Sequence, residues 1–346
     1  MNINCQLKQA VDSKYYKNYS ISNYTLIDMG LNNEENYILY FLYSLNCSNA
    51  ISADISNQKT TDVNYTFSGS IGYSWIKADE LVYDEDNRIS HLIWKSQMPI
   101  LNGKITADIG SDLTFSGNLN VGLTGSGNLH DYDWLSDVGG FSGYDFNNWT
   151  DHSLSETDLD RYISFDVALG QNFVINPQNT LNIHGGFKYT NVKWTAYGGD
   201  YVYSSTDFRD TEGTFSDGKV ISYEQRLPAL FIGSEWTTKL DRWSFSALGR
   251  VGVTVSGKDV DDHWLRNLRF NETFDSAPYF ELQANASYSF NEQTSLYVTA
   301  GFEKHLKMRG DTQTFDHSDN TVSFVPDGAG ASLQAATVSA GLKVKF

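Results

Sequence analysis

Phe280, Leu282, Ala284, Ala286, Tyr288 and Phe290 alternate with Glu281, Gln283, Asn285, Ser287 and Ser289. After the turn Asn291-Glu292-Gln293-Thr294, Leu296, Val298, Ala300 and Phe302 alternate with Tyr297, Thr299, Gly301 and Glu303. A strict period of two on both sides of a tight turn is a pair of antiparallel strands with one apolar and one polar face. Such strands are long enough for the ~9–11 residues that a tilted strand needs to cross a bilayer.

The same alternation returns at Trp243, Phe245, Ala247, Gly249, Val251, Val253 and Val255. It recurs at Ile163, Phe165, Val167 and Leu169, and at Phe115, Gly117, Leu119, Val121 and Leu123. The end of the chain follows it too, as Ala336, Val338, Ala340, Leu342 and Val344 lead to the aromatic Phe346. Segments 88–109 and 219–238 alternate less cleanly, and Pro99 and Pro228 each remove a ladder hydrogen bond there. The runs are 66–83, 88–109, 113–126, 160–175, 181–197, 219–238, 243–256, 278–290, 295–308 and 332–346, which makes ten. Connections near 110–112, 176–180, 240–242 and 291–294 are short, whereas 127–159, 198–218, 257–277 and 309–330 are long and polar. Short turns at one end and long segments at the other predict an all-β fold: a ten-stranded antiparallel transmembrane β-barrel with long extracellular loops. A soluble sandwich would need turns every 8–12 residues instead.

Composition agrees. The chain has 346 residues and a net charge of −17. Its mean hydropathy is −0.40 although 40% of its residues are hydrophobic, as expected of strands that alternate. No apolar, uncharged run reaches the 18 residues of a membrane-spanning helix. The acidic excess argues against a nucleic-acid binder, which needs Lys and Arg in surplus.

The strongest apolar run is early, Tyr37 to Leu45, and is followed by Ser48, Asn49 and Ala50. It reads as a secretory leader cut after Ala50 or Ala53, although Glu34 and Glu35 stand where cations are usual. Residues 1–53 are therefore expected to be leader and 54–346 the barrel. Both cysteines, Cys5 and Cys47, fall in the leader, so the barrel has no disulfide framework or thiol nucleophile. The leader takes only three lysines and four acids with it, and the remaining charge is −16.

Two strand exits carry candidate chemistry. The third strand runs into Gly127-Asn128-Leu129-His130-Asp131-Tyr132-Asp133-Trp134, where Asp131 and Asp133 share one side. The seventh runs into Lys258-Asp259-Val260-Asp261-Asp262-His263, where Asp259, Asp261 and His263 share one side. Two carboxylates facing an Asp-His pair can activate water, with the acid orienting an imidazole that takes the proton. A metal bound by His130, Asp131, Asp133 and His263 is the other reading, but these residues lack a recognised ligand spacing.

Asp131-Tyr132-Asp133-Trp134 resembles the Asp-x-Asp-Trp of the omptin family of outer-membrane proteases. Trp149-Thr150-Asp151, Gly198-Gly199-Asp200-Tyr201-Val202-Tyr203-Ser204, Phe208-Arg209-Asp210, Tyr223-Glu224-Gln225-Arg226, Asp259-x-Asp261-x-His263 and Phe315-Asp316-His317 resemble further family motifs, in the right order. The resemblance implies that Asp131 and Asp133 form the Asp pair and Asp261 and His263 the dyad. It also implies cleavage beside basic residues that are bound by Glu80 and Asp259. A cationic side chain between two carboxylates gains charge-assisted hydrogen bonds, and the acidic surface steers cationic peptides to the mouth.

No cofactor is implied beyond lipopolysaccharide as an activator, held on the outer face by Arg226. A second family arginine is Asn191 here, with Lys193 nearby. Trp194, Tyr197 and Trp243 read as outward-facing residues of the interfacial belt. The implied location is the bacterial outer membrane with the active site facing outward. The competing readings are a surface adhesin that binds through the same loops and, third, a passive porin, for which ten strands leave little lumen.

Overall fold

The computed structural model describes residues 63–110, 112–135 and 146–346, and the backbone of two short strands, Lys17–Ile21 and Tyr24–Asp28. The expected cleavage positions and both cysteines lie outside the described residues. The two short strands pair with each other in an antiparallel hairpin.

The ten staves of the barrel are β1 (Val63–Asp84), β2 (Asn87–Ile109), β3 (Leu113–Gly122 and Gly125–Asp133), β4 (Asp151–Asn176), β5 (Asn179–Tyr203), β6 (Lys219–Leu240), β7 (Trp243–Thr254 and Lys258–His263), β8 (Leu268–Phe274 and Ala277–Ser289), β9 (Thr294–Asp316) and β10 (Thr321–Lys345). Each pairs antiparallel with its chain neighbours, and β10 closes the ring on β1. The five prolines fall where the ladder tolerates them. Pro99 and Pro228 lie beside the interruptions of β3 and β7, where their carbonyls accept the N–H groups of Leu123 and Val255. Pro177 is in the β4–β5 turn, Pro278 begins the second piece of β8, and Pro326 sits where the β9–β10 register shifts.

The staves extend well beyond the expected runs. Most of 127–159, 198–218, 257–277 and 309–330 is paired wall, not loop. Its tips close in short turns at 85–86, 264–267 and 317–320, and only the β3–β4 and β5–β6 connections are long. Above the bilayer no lipid requires an apolar outer face, so the alternation that marks a membrane strand disappears while the hydrogen-bonded ladder continues.

β5 shows the change along one stave. Its even positions face inward throughout: His184 and Lys188 low in the strand, then Val192, Trp194 and Ala196. Its exposed Ile183 is outward in the lower part, while the upper outer face carries Asn191 and Lys193. Trp194 is thus not a belt residue. It is fully buried in the upper interior, stacked with Trp94 and Tyr223, whereas Trp243 is outward and exposed as expected. The lower lumen is crossed by an ionic lattice that borders a polar cavity of about 380 Å³: Arg250 bonds Asp166 and Glu281, and Lys188 bonds Glu281 and Glu303. Above it, an apolar layer that includes Trp94, Met98, Leu129, Trp194, Tyr223 and Leu227 forms the floor of the mouth.

Candidate active site

The upper staves carry their acids inward onto this floor. On β1, Glu80 is buried, and one of its oxygens accepts the indole N–H of Trp94 at 3.0 Å. In register, Glu80 pairs with Leu92 on β2, and Leu92 pairs with Asp131 on β3. On the other side, Asp261 on β7 pairs with Tyr223 on β6, which pairs with Trp194 on β5. Nε2 of His263 lies 2.6 Å from Oδ2 of Asp261, and Phe270 meets the imidazole edge-on.

These two segments converge. Burial and the charge of Asp133 push the Asp131 carboxyl well up, and the Asp261 charge adds to this from across the mouth. Burial also raises Asp133, which is opposed by a hydrogen bond with Ser90 and by the charges of Arg266 and His263. A buried pair of neighbouring carboxyls keeps a proton into the neutral range because both cannot ionise without water. Glu80 is raised by burial and by the charges of Asp261, Asp259 and Glu272. Asp259 is pushed up to about 7 by burial, although the Tyr223 hydroxyl donates to it at 2.7 Å. Glu80 and Asp259 therefore share one interior cluster. Oδ1 of Asp131, Asp259 and Asp261 are all buried without a hydrogen-bond donor. Among the described residues, no group of three or more His, Cys, Asp or Glu is arranged to hold a metal ion.

The remaining motifs brace this site. Thr150 donates its N–H and its hydroxyl to the carbonyl of Asp133, and its hydroxyl also meets Asp151. The other Asp151 oxygen accepts Ser204 N–H. Arg209 lies over the Trp149 ring and donates to the carbonyls of Trp149 and Asn147, while Asp210 accepts three backbone N–H groups of its own turn. The two long connections are thereby clasped beside the Asp pair. Gly199 has φ +109, and a Cβ there would meet the Leu154 carbonyl at 2.1 Å, so no other residue fits this close approach. Tyr223 and Gln225 turn inward and bond each other at 2.9 Å, while Glu224 and Arg226 face outward. Asp316 caps the β9–β10 tip by accepting Ser318 N–H.

Three groups at the site, Arg266, Trp94 and Glu272, lie outside the motifs, and Tyr203 lies within one that gave it no role at the site. Arg266 lies in the β7–β8 turn and donates to Nδ1 of His263. The Tyr203 phenol feels Asp131, Asp133 and Asp151 and is raised by burial and these charges. Trp94 anchors Glu80, and Glu272 lies opposite Asp259. Placing a four-residue turn at 264–267 would have found Glu272, since the hairpin register follows from it.

On the outer face, Arg161 and Arg226 flank Glu224, at 3.3 and 3.0 Å, and Asn191 bonds both Arg161 and Glu224.

The omptin family model matches residues 61–346. A plasminogen activator of Yersinia pestis is 31% identical over 307 residues, covering 86% of this chain and 95% of that protein. Outer membrane protease OmpP of Escherichia coli (strain K12) is 29% identical over 284 residues, 78% of this chain and 86% of that one. The crystal structure of outer membrane protease OmpT from Escherichia coli superimposes with a TM-score of 0.77 at 26% identity, over 84% of this chain and 99% of that chain.

Proposed function

This chain belongs to the omptin family, whose members include outer-membrane proteases, and we propose that it cleaves peptide bonds beside basic residues at its extracellular mouth. Asp131 and Asp133 on one side and the Asp261–His263 dyad on the other activate the water. The observation that carries this reading is the convergence of the two segments: Asp261 acts on Asp131 and His263 acts on Asp133 across the mouth.

The chemistry follows from the groups present. Asp261 holds Nε2 of His263, and Nδ1, on which Arg266 donates in the substrate-free site, takes a proton from water as the water oxygen attacks the scissile carbonyl, so the guanidinium has to give up that nitrogen when substrate and water enter. The negative partner stabilises the imidazolium that forms. A proton kept on the Asp pair is available to hydrogen-bond the oxygen that becomes negative in the tetrahedral intermediate. The imidazolium then returns its proton to the leaving amine, and the bond breaks. Glu80 and Asp259 hold the cationic side chain of the substrate in the buried acidic cluster.

Lipopolysaccharide is the proposed activator. Arg161 and Arg226 present two guanidinium groups on the outer face, and planar guanidinium suits phosphate. Arg161 supplies the charge that Asn191 lacks.

The barrel refolded in detergent is assayed on a quenched Arg-Arg peptide, with and without lipopolysaccharide, beside Asp131→Asn and His263→Ala. Cleavage lost in both variants supports the mechanism. Full activity in His263→Ala, or none in the folded parent under either condition, defeats it.

A further inference from the structure

Glu272 on β8 stands directly opposite Asp259 on β7 and is 3% exposed. Oε1 of Glu272 accepts the Thr312 hydroxyl at 2.9 Å, and Oδ2 of Asp259 accepts the Tyr223 hydroxyl at 2.7 Å. Apart from the other carboxyl, no N–H or hydroxyl of the described residues reaches the second oxygen of either group. Burial and the Asp259 charge push Glu272 well up, so Glu272 keeps a proton and donates it to Asp259. Asp261 Oδ1 and Glu80 lie in the same cluster, and among the described residues no ion pair with Lys or Arg involves Glu80, Asp259 or Glu272. Buried carboxyls that the protein itself leaves short of donors call for a donor from outside.

We propose that Glu272 is a specificity-determining residue, which forms with Asp259 a two-carboxylate fork that takes a substrate arginine in preference to lysine. The proposal rests on the reading of the protein as a protease that cuts beside basic residues. A guanidinium has five N–H donors in a rigid plane and can serve Asp259 and Glu272 with one edge while another donor turns to Glu80. An ammonium has three donors on a single atom and leaves more of these buried oxygens unserved. When the guanidinium enters, the proton shared by Asp259 and Glu272 leaves to solvent, so one cation replaces one proton in the cluster.

The test uses the full barrel in detergent with lipopolysaccharide and two quenched peptides that differ only in Arg or Lys before the cut. Glu272→Gln keeps the Thr312 bond and the volume but cannot become an anion. The parent is expected to prefer Arg about tenfold or more. In Glu272→Gln the Arg peptide loses about tenfold in kcat/KM, mostly through KM, and the Arg-to-Lys ratio falls towards one. Titration with agmatine in two buffers of different ionisation enthalpy should show one proton released by the parent and none by the variant. The folded gel mobility of Glu272→Gln is expected to match that of the parent.

An unchanged Arg-to-Lys ratio in a folded Glu272→Gln overturns the inference and leaves the protease reading intact. A parent that cleaves neither basic peptide overturns the protease reading itself.

Discussion

Nε2 of His263 lies 2.6 Å from Asp261, while Nδ1 of the same ring receives the guanidinium of Arg266. The imidazole is therefore held on both sides, by an anion deep in the wall and by a cation from the turn above. Asp261→Asn removes the negative partner that stabilises the imidazolium. It is expected to lower kcat about 10²–10⁴-fold with KM little changed, measured in single-turnover cleavage of a dibasic peptide. A fall in KM affinity without loss of kcat would assign Asp261 to binding instead.

Arg266 also draws down the Asp131 and Asp133 carboxyls, which burial raises. A nearby cation favours the ionised acid, so Arg266→Ala raises both further. If catalysis requires one member of the pair to be ionised, the acid limb of the kcat/KM profile moves to higher pH in the variant. A limb that stays in place would show that the pair does not control that side of the profile.

Much of the barrel is legible because lipid imposes a rule. Phe280 to Phe290 alternates since one face meets hydrocarbon and the other a polar lumen. Above the bilayer the rule reverses without any change of strand parity: Trp194 faces inward like Lys188, but there the interior is apolar and the exterior wet. Apolar character alone therefore misplaces Trp194, and the tall upper wall reads as loop. Asp131, Asp133, Asp259, Asp261 and His263 are legible because a spacing of two survives on any strand. Arg266 and Glu272 are not, because their places follow from where the β7–β8 hairpin turns.

Asp259 is pushed up to about 7, so its ordinary acidity is displaced through the neutral range. The pocket loses negative charge as pH falls through about 7, and KM for cationic peptides should rise there more than kcat falls. Stability carries the opposite sign. A folded value above the unfolded one means that the native state binds more protons, so this group stabilises the barrel at low pH, and that contribution is lost as pH rises from about 4 to about 7. Asp259→Asn should flatten both dependences, read from KM against pH and from the urea midpoint of the gel-mobility shift.

Arg161 and Arg226 both bond Glu224 on the outer face. If they grip lipid phosphates, Arg161→Ala and Arg226→Ala should each shift the lipopolysaccharide activation curve to about tenfold higher lipid, because each removes one charge-assisted contact. Maximal activity at saturating lipid should be retained. Activity of the parent that is equal without lipid would separate this face from activation altogether.

Arg250 lies in the lower lumen. Its NH1 lies 3.2 Å from both Asp166 and Glu281, its Nε bonds His184 at 3.1 Å, and its guanidinium covers the Phe231 ring. Arg250→Met keeps much of the volume but strands the Asp166 carboxylate, while Lys188 remains as the cation of Glu281. Breaking a buried pair by removing one partner typically costs about 3–5 kcal/mol, because the remaining charge has neither water nor a counter-ion. The variant should unfold at lower urea by that amount, and adding Asp166→Asn should recover part of the loss, since it removes the stranded charge. Cleavage kinetics of the folded fraction should stay near those of the parent, because the Trp94–Trp194–Tyr223 layer separates this lattice from the mouth. A large kinetic effect in fully folded Arg250→Met would show that the lattice positions the active-site strands as well as crossing the lower lumen.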